Sequence, residues 1–125
     1  MKHYNKLVRD LVPAIIMGEG KGVWAHEIIK DADYKQALQD KLNEEVAEYN
    51  KSGQVEELAD IIEVIYALVG IYGVHLKDFE ELRQRKLKAR GGFEKRIMLV
   101  KVEDENEVDP FWDGLAADAG DDNGN

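Results

Sequence analysis

Apolar residues recur at helical spacing through the first half of the chain. Between Tyr34 and Lys51 the periodic positions are Tyr34, Leu38, Leu42, Val46 and Tyr49. This spacing predicts an amphipathic helix of about five turns over residues 34–51, with Asp31 or Asp33 as its cap and Ser52-Gly53 as its end.

A second helix is predicted over residues 54–72, and its pattern differs from the first. From Leu58 onward it is apolar on nearly every side, so it is expected to be buried in several directions. One small chain rarely buries a helix so completely. We therefore expect a subunit interface on this helix, with Val69 as one interface position, and an assembly of at least two copies.

Shorter elements complete the predicted fold. Pro13 suits the first turn of a short helix, and a third long helix is predicted over residues 76–90, ended by Gly91-Gly92. Residues 22–29 and 96–102 are rich in β-branched and other apolar side chains, which predicts two strands that pair with each other. The expected fold class is therefore mainly α, an antiparallel helical bundle with a short β-pair.

Charge divides the chain of 125 residues into a predicted domain, 1–102, and a tail, 103–125. The net charge is −9, but residues 103–125 hold nine acidic residues and no Lys or Arg, so the rest is formally neutral. The tail is rich in Gly, Asp and Asn and is predicted to be disordered. Its acidity disfavours a nucleic-acid partner.

Cysteine is absent, which excludes disulfide frameworks, zinc–thiolate sites and cysteine nucleophiles. This composition suits a reducing cytoplasm, which is the expected location. No stretch of about 18 apolar residues is present, so no membrane partner is expected.

Two acidic clusters lie on the two consecutive helices. The first is Glu44-Glu45-Val46-Ala47-Glu48, and the second is Glu56-Glu57-Leu58-Ala59-Asp60. Residues three apart share a helical face, and a hairpin at Ser52-Gly53 would bring the two faces together. Lys41 and Lys51 are the only basic residues between Asp40 and Glu63, so the carboxylates are expected to converge without matching cations.

Converging carboxylates require compensation, and Mg²⁺ is the natural candidate because it takes oxygen ligands and substrate phosphates. Zinc is disfavoured because no Cys or His accompanies the acids. The alternative is a solvated acidic face, which is common on surface helices. Asp60 and Glu63 favour the metal, because they interrupt an otherwise apolar helix and buried carboxylates need partners.

These motifs resemble a known family. The pattern Glu44-Glu45-x-x-Glu48 followed by Glu57-x-x-Asp60 is similar to the EExxE…ExxD signature of the MazG-like, all-α nucleoside triphosphate pyrophosphohydrolases, which include phosphoribosyl-ATP pyrophosphohydrolases. The segments 4–13 (YNKLVRDLVP) and 90–93 (RGGF) resemble one branch, the house-cleaning pyrophosphatases. The resemblance covers residues 4 to about 102 and leaves the tail without a counterpart.

The resemblance implies hydrolysis of a nucleoside triphosphate to a monophosphate and pyrophosphate by a homodimer or homotetramer. It implies that Glu45, Glu48, Glu57 and Asp60 bind Mg²⁺, for which Mn²⁺ is the alternative, and that Glu44 orients or deprotonates the attacking water. This fits general chemistry, because a carboxylate site holds a polyphosphate only through divalent ions.

Basic residues at two places are candidates for binding the substrate phosphates. Lys86 and Arg90 share a face of the third helix, and Lys6 and Arg9 lie in the N-terminal motif. The alternatives are a solvated basic face for the first pair and ion pairs with acidic residues for the second. The rival to an enzyme is a non-catalytic helical interaction module in which the acids only keep the helices soluble.

Overall fold

The computed structural model describes residues 1–103, and the predicted tail from Asp104 onward lies outside the described residues. The elements, in chain order, are α1 (Val12–Gly18), α2 (Asp31–Ser52), α3 (Val55–Ile71) and α4 (Leu76–Arg90). The mainly α class and all four predicted helices are confirmed. The chain divides into two compact units, Met1–Leu76 and a second that starts at Lys77.

Local signals set the ends of α2 and α3. Helix α2 begins three residues earlier than predicted, at Asp31, and no side chain caps it. It ends at Ser52. The next residue, Gly53, adopts a φ of 65°, and its N–H donates to the Tyr49 carbonyl oxygen at 2.7 Å. Only glycine adopts this left-handed conformation readily, so Gly53 closes α2 and lets α3 turn back two residues later.

The core of the first unit lies between α2 and α3, which pack against each other as a helical hairpin. Among the described residues the buried apolar side chains are Leu38 on α2 and Val64 and Val69 on α3. Other apolar residues of α3 stay exposed: Leu58, Ile62 and Tyr66, four positions apart, are 41%, 46% and 41% exposed. Against the rest of residues 1–103, α3 is therefore buried on one side only.

The predicted β-pair is wrong, because residues 1–103 contain no strand. A two-stranded pair is marginal in water unless another element covers it. Trp24 and Val100 are 83% and 86% exposed, so neither segment has an apolar surface over it. Arg96 adopts a φ of 56°, which interrupts an extended backbone, and its N–H donates to the Phe93 carbonyl oxygen at 3.0 Å.

No single helix of the described residues is long and apolar enough to cross a membrane. Helices α3 and α4, taken together as one interrupted span, satisfy the same criteria of length and composition.

Candidate metal site

The hairpin brings three carboxylates of the two acidic clusters together. Glu45 lies on α2, and Glu57 and Asp60 lie one turn apart on α3. One oxygen of each lies within 4.8 Å of the others, and all three side chains are partly buried. We call these three residues the acidic triad. The sequence predicted this convergence from the spacing of the acids and the break at Gly53.

The fourth predicted ligand, Glu48, lies outside the triad. Its side chain is exposed, yet its charge is near enough to contribute to the raised pKa of Glu57. Helical geometry places it one turn from Glu45, towards the hairpin turn. The structure thus groups three of the four predicted ligands, and the assignment of Glu48 remains a prediction.

Cations also meet the acids, so the expectation of carboxylates without matching bases is wrong. The Arg9 guanidinium lies 2.6 Å from Asp60 Oδ1, and Lys6 Nζ lies 3.1 Å from Glu44 Oε1. The sequence offered ion pairing with acids as one alternative for Lys6 and Arg9, and these are the contacts they make. Binding of substrate phosphates by the same two residues remains a prediction.

Lys41 forms ion pairs with two of the predicted site residues, Glu44 and Glu45. Its Nζ lies 3.1 Å from Glu44 Oε2 and 3.2 Å from Glu45 Oε1, and its side chain is only 14% exposed. The signal was present in the sequence, since Lys41 lies three and four residues before the two acids, which is ion-pair spacing on a helix. Lys41 therefore fixes the position of both carboxylates.

These neighbours shift the pKa values of two acids in opposite directions. Partial burial, followed by the charges of Asp60, Glu48 and Glu45, raises the pKa of Glu57. Partial burial also acts to raise the pKa of Glu44, but hydrogen bonds from Lys41 and Lys6 outweigh it and lower that pKa. The hydrogen bond to Glu44, and then its charge, raise the pKa of Lys6. Glu44 is held ionised, whereas Glu57 resists ionisation.

The raised pKa of Glu57 leads to a prediction about stability and pH. A carboxyl whose pKa rises on folding favours the folded state below its unfolded pKa, and this contribution is lost as the pH rises through the folded value. In EDTA, Glu57→Gln is therefore expected to gain thermal stability relative to the wild type as the pH rises from about 4 to about 7. Thermal unfolding followed by circular dichroism measures the difference.

The matched control is Glu56→Gln, because Glu56 is the exposed neighbour of Glu57 and lies outside the triad. Its stability difference from the wild type is expected to change little with pH. If the stability of Glu57→Gln relative to the wild type stayed constant or fell as the pH rose, Glu57 would not be repelled by the neighbouring carboxylates.

The other predicted phosphate-binding residues, Lys86 and Arg90, lie on α4 with exposed side chains. This helix belongs to the second unit, apart from its first residue. One ion pair on its surface joins Arg83 to Glu80 at 2.6 Å, and the hydrogen bonds from Arg83 lower the pKa of Glu80 to about 2. The contribution of Lys86 and Arg90 to a phosphate site remains a prediction.

The donor set of the triad fits a hard divalent cation. It offers carboxylate oxygens only, whereas a zinc site would be expected to include nitrogen or sulfur ligands. Mg²⁺ binds oxygens at about 2.0–2.1 Å. Oxygens within 4.8 Å of one another are close enough to share one such ion after small side-chain adjustments.

No protein-family model, curated protein or solved structure matches this chain. The resemblance to the MazG-like pyrophosphohydrolases therefore rests on the sequence motifs alone.

Proposed function

We propose that this protein hydrolyses a nucleoside triphosphate to a nucleoside monophosphate and pyrophosphate in a Mg²⁺-dependent reaction. The observation that carries the proposal is the acidic triad, in which Glu45 from α2 meets Glu57 and Asp60 from α3. The motif resemblance suggested these residues as ligands, and their oxygen-only chemistry suits the metal that a polyphosphate substrate needs.

Within this proposal the triad and Glu48 hold Mg²⁺. When bound, Mg²⁺ neutralises phosphate charge, polarises the α-phosphate and lowers the pKa of a coordinated water. Glu44 accepts a hydrogen bond from Lys41 on its own helix, so its carboxylate presents a fixed acceptor beside the triad. A carboxylate of low pKa is a weak base, so we assign Glu44 the orientation of the attacking water.

In this proposal Lys6 and Arg9 bind the β- and γ-phosphates at the triad of their own chain. Lys86 and Arg90 on α4 do so at the site of a neighbouring subunit. Arg and Lys are suited to this task, because a guanidinium or ammonium donates charge-assisted hydrogen bonds to phosphate oxygens. The fold proposed for the whole is the all-α pyrophosphatase bundle. One chain contributes the α2–α3 hairpin, and a homodimer or homotetramer completes the bundle.

A second candidate is the non-catalytic helical interaction module. The observation in its favour is the set of ion pairs, because Lys6, Arg9 and Lys41 neutralise Glu44, Glu45 and Asp60 without any metal. In that case α3 would present its exposed apolar residues to another protein. The two candidates differ in whether the triad binds a divalent cation.

Magnesium-linked stability separates the two candidates. If the triad binds Mg²⁺ only in the folded state, an ion concentration about 100 times the Kd stabilises the protein by about 2.7 kcal/mol. The melting temperature of the wild type should then rise with MgCl₂ beyond its rise in NaCl of equal ionic strength. Asp60→Asn should lose the response, and Glu80→Gln, which changes an acid outside the triad, should keep it. An equal rise in both salts would favour the interaction module.

A further inference from the structure

The N-terminal segment touches both helices that carry the acidic clusters. Lys6 pairs with Glu44 on α2, and Arg9 pairs with Asp60 on α3. Residues 1–9 contain no helix or strand, and Leu7 is the only one among them whose side chain is not exposed. Among the described residues, the contacts that hold this segment to α2 and α3 include these two ion pairs.

These ion pairs are of the kind that other cations displace. The side chains of Lys6 and Glu44 are 42% and 29% exposed, and those of Arg9 and Asp60 are 53% and 40% exposed. Exposed pairs contribute about 0–1 kcal/mol each and weaken as salt screens them. A modest change of charge near these carboxylates can therefore break the two ion pairs and detach the segment from α2 and α3.

Asp60 belongs both to the acidic triad and to the pair with Arg9. A divalent cation at the triad would place two positive charges beside the Arg9 guanidinium, and it would bind the Asp60 carboxylate with which Arg9 pairs. Repulsion between like charges at such short range is much stronger than the weak pairing it opposes. Occupation of the triad and pairing of Arg9 with Asp60 therefore oppose each other.

We propose that residues 4–9 form a strap that closes over α2 and α3 through the Lys6–Glu44 and Arg9–Asp60 ion pairs. A divalent cation at the triad releases this strap. This inference rests on the proposed function, since it uses the same triad, and adds a means of regulating the site. Release frees the side chains of Lys6 and Arg9 from their carboxylate partners. Both side chains are then exposed to solvent and available to an anionic ligand of the metal-loaded site. In the metal-free protein the closed strap pairs one positive charge with Glu44 and one with Asp60.

Trypsin tests the strap directly, because it cleaves after Lys and Arg and must take the side chain into its own pocket. Cleavage after Lys6 and Arg9 is followed by mass spectrometry in MgCl₂ and in NaCl of equal ionic strength. Cleavage after Lys101, in an exposed segment of the second unit, gives the internal reference. Mg²⁺ should accelerate cleavage after Lys6 and Arg9 by about two- to thirtyfold, the range that two exposed ion pairs allow.

Two variants complete the experiment. Asp60→Asn removes the partner of Arg9, so its cleavage after Arg9 should be fast without metal and should not respond to Mg²⁺. Glu80→Gln, which changes the acid that pairs with Arg83 on α4, should behave as the wild type. Equal wild-type cleavage in the two salts, or slow cleavage in Asp60→Asn, would overturn the strap.

Failure of the strap is distinguishable from failure of the proposed function. Accelerated cleavage in Mg²⁺ by a chain that hydrolyses no triphosphate would support the strap and contradict the hydrolysis. Hydrolysis with unchanged cleavage would contradict the strap and support the hydrolysis.

Discussion

Asp60→Asn and Glu57→Gln are each expected to lower Mg²⁺-dependent triphosphate hydrolysis about 100- to 1,000-fold. Each removes one carboxylate of the triad while keeping the size of the side chain. Metal stabilisation of the transition state is worth several kcal/mol, and each 1.36 kcal/mol corresponds to a tenfold change in rate. Initial rates of pyrophosphate release at saturating substrate measure the loss.

Glu56→Gln is the matched control for this loss, because Glu56 precedes Glu57 on α3 but its side chain lies outside the triad. It should keep nearly full activity. All three variants should retain the helical circular dichroism of the wild type, since none removes a buried apolar group. An Asp60→Asn protein as active as the wild type would refute the assignment of this residue as a metal ligand.

Light scattering at micromolar concentration is expected to give at least twice the 14.2 kDa mass of one chain. Among the described residues the buried apolar side chains are Leu38, Val64 and Val69 only, which is a small core for a stable monomer. Leu58, Ile62 and Tyr66 form an exposed apolar stripe on α3 of the kind that drives association. A two-fold symmetric contact would cover the stripe in both copies.

Ile62→Asp is the variant that tests this stripe, and it should give monomers or aggregates with less than about a tenth of the activity. Val69, the position expected from the sequence to face the interface, is buried within its own chain at 8% exposure. A charge there would test the fold rather than the assembly. Ile29→Asp, which adds the same charge at an exposed position before α2, is the control. A fully active wild-type monomer would contradict the assembly.

The helices were predictable because their signals are local. The spacing of Leu38, Leu42 and Val46 and the stop at Gly53 depend on neighbouring residues only, and α4 begins and ends where it was predicted. The strands were not predictable in this way. A segment such as 96–102 has the composition of a strand, but a strand forms only where another element pairs with it and covers it.

The same distinction applies to the site. The meeting of Glu45 with Glu57 and Asp60 follows from helical spacing and one tight turn. The Lys6–Glu44 and Arg9–Asp60 pairs join residues 38 and 51 positions apart, and no periodic pattern reports a contact between an irregular segment and a distant helix. Helix periodicity therefore predicts which acids meet and that Lys41 reaches them, but it does not predict that Lys6 and Arg9 do.

Product analysis tests the central claim most directly. The full chain is incubated with canonical and modified nucleoside triphosphates in MgCl₂, or in EDTA, and the phosphate products are separated and quantified. The account predicts that at least one triphosphate yields monophosphate and pyrophosphate in equal amounts, in MgCl₂ only. Release of orthophosphate and a diphosphate, equal hydrolysis in EDTA, or no hydrolysis of any triphosphate would contradict it.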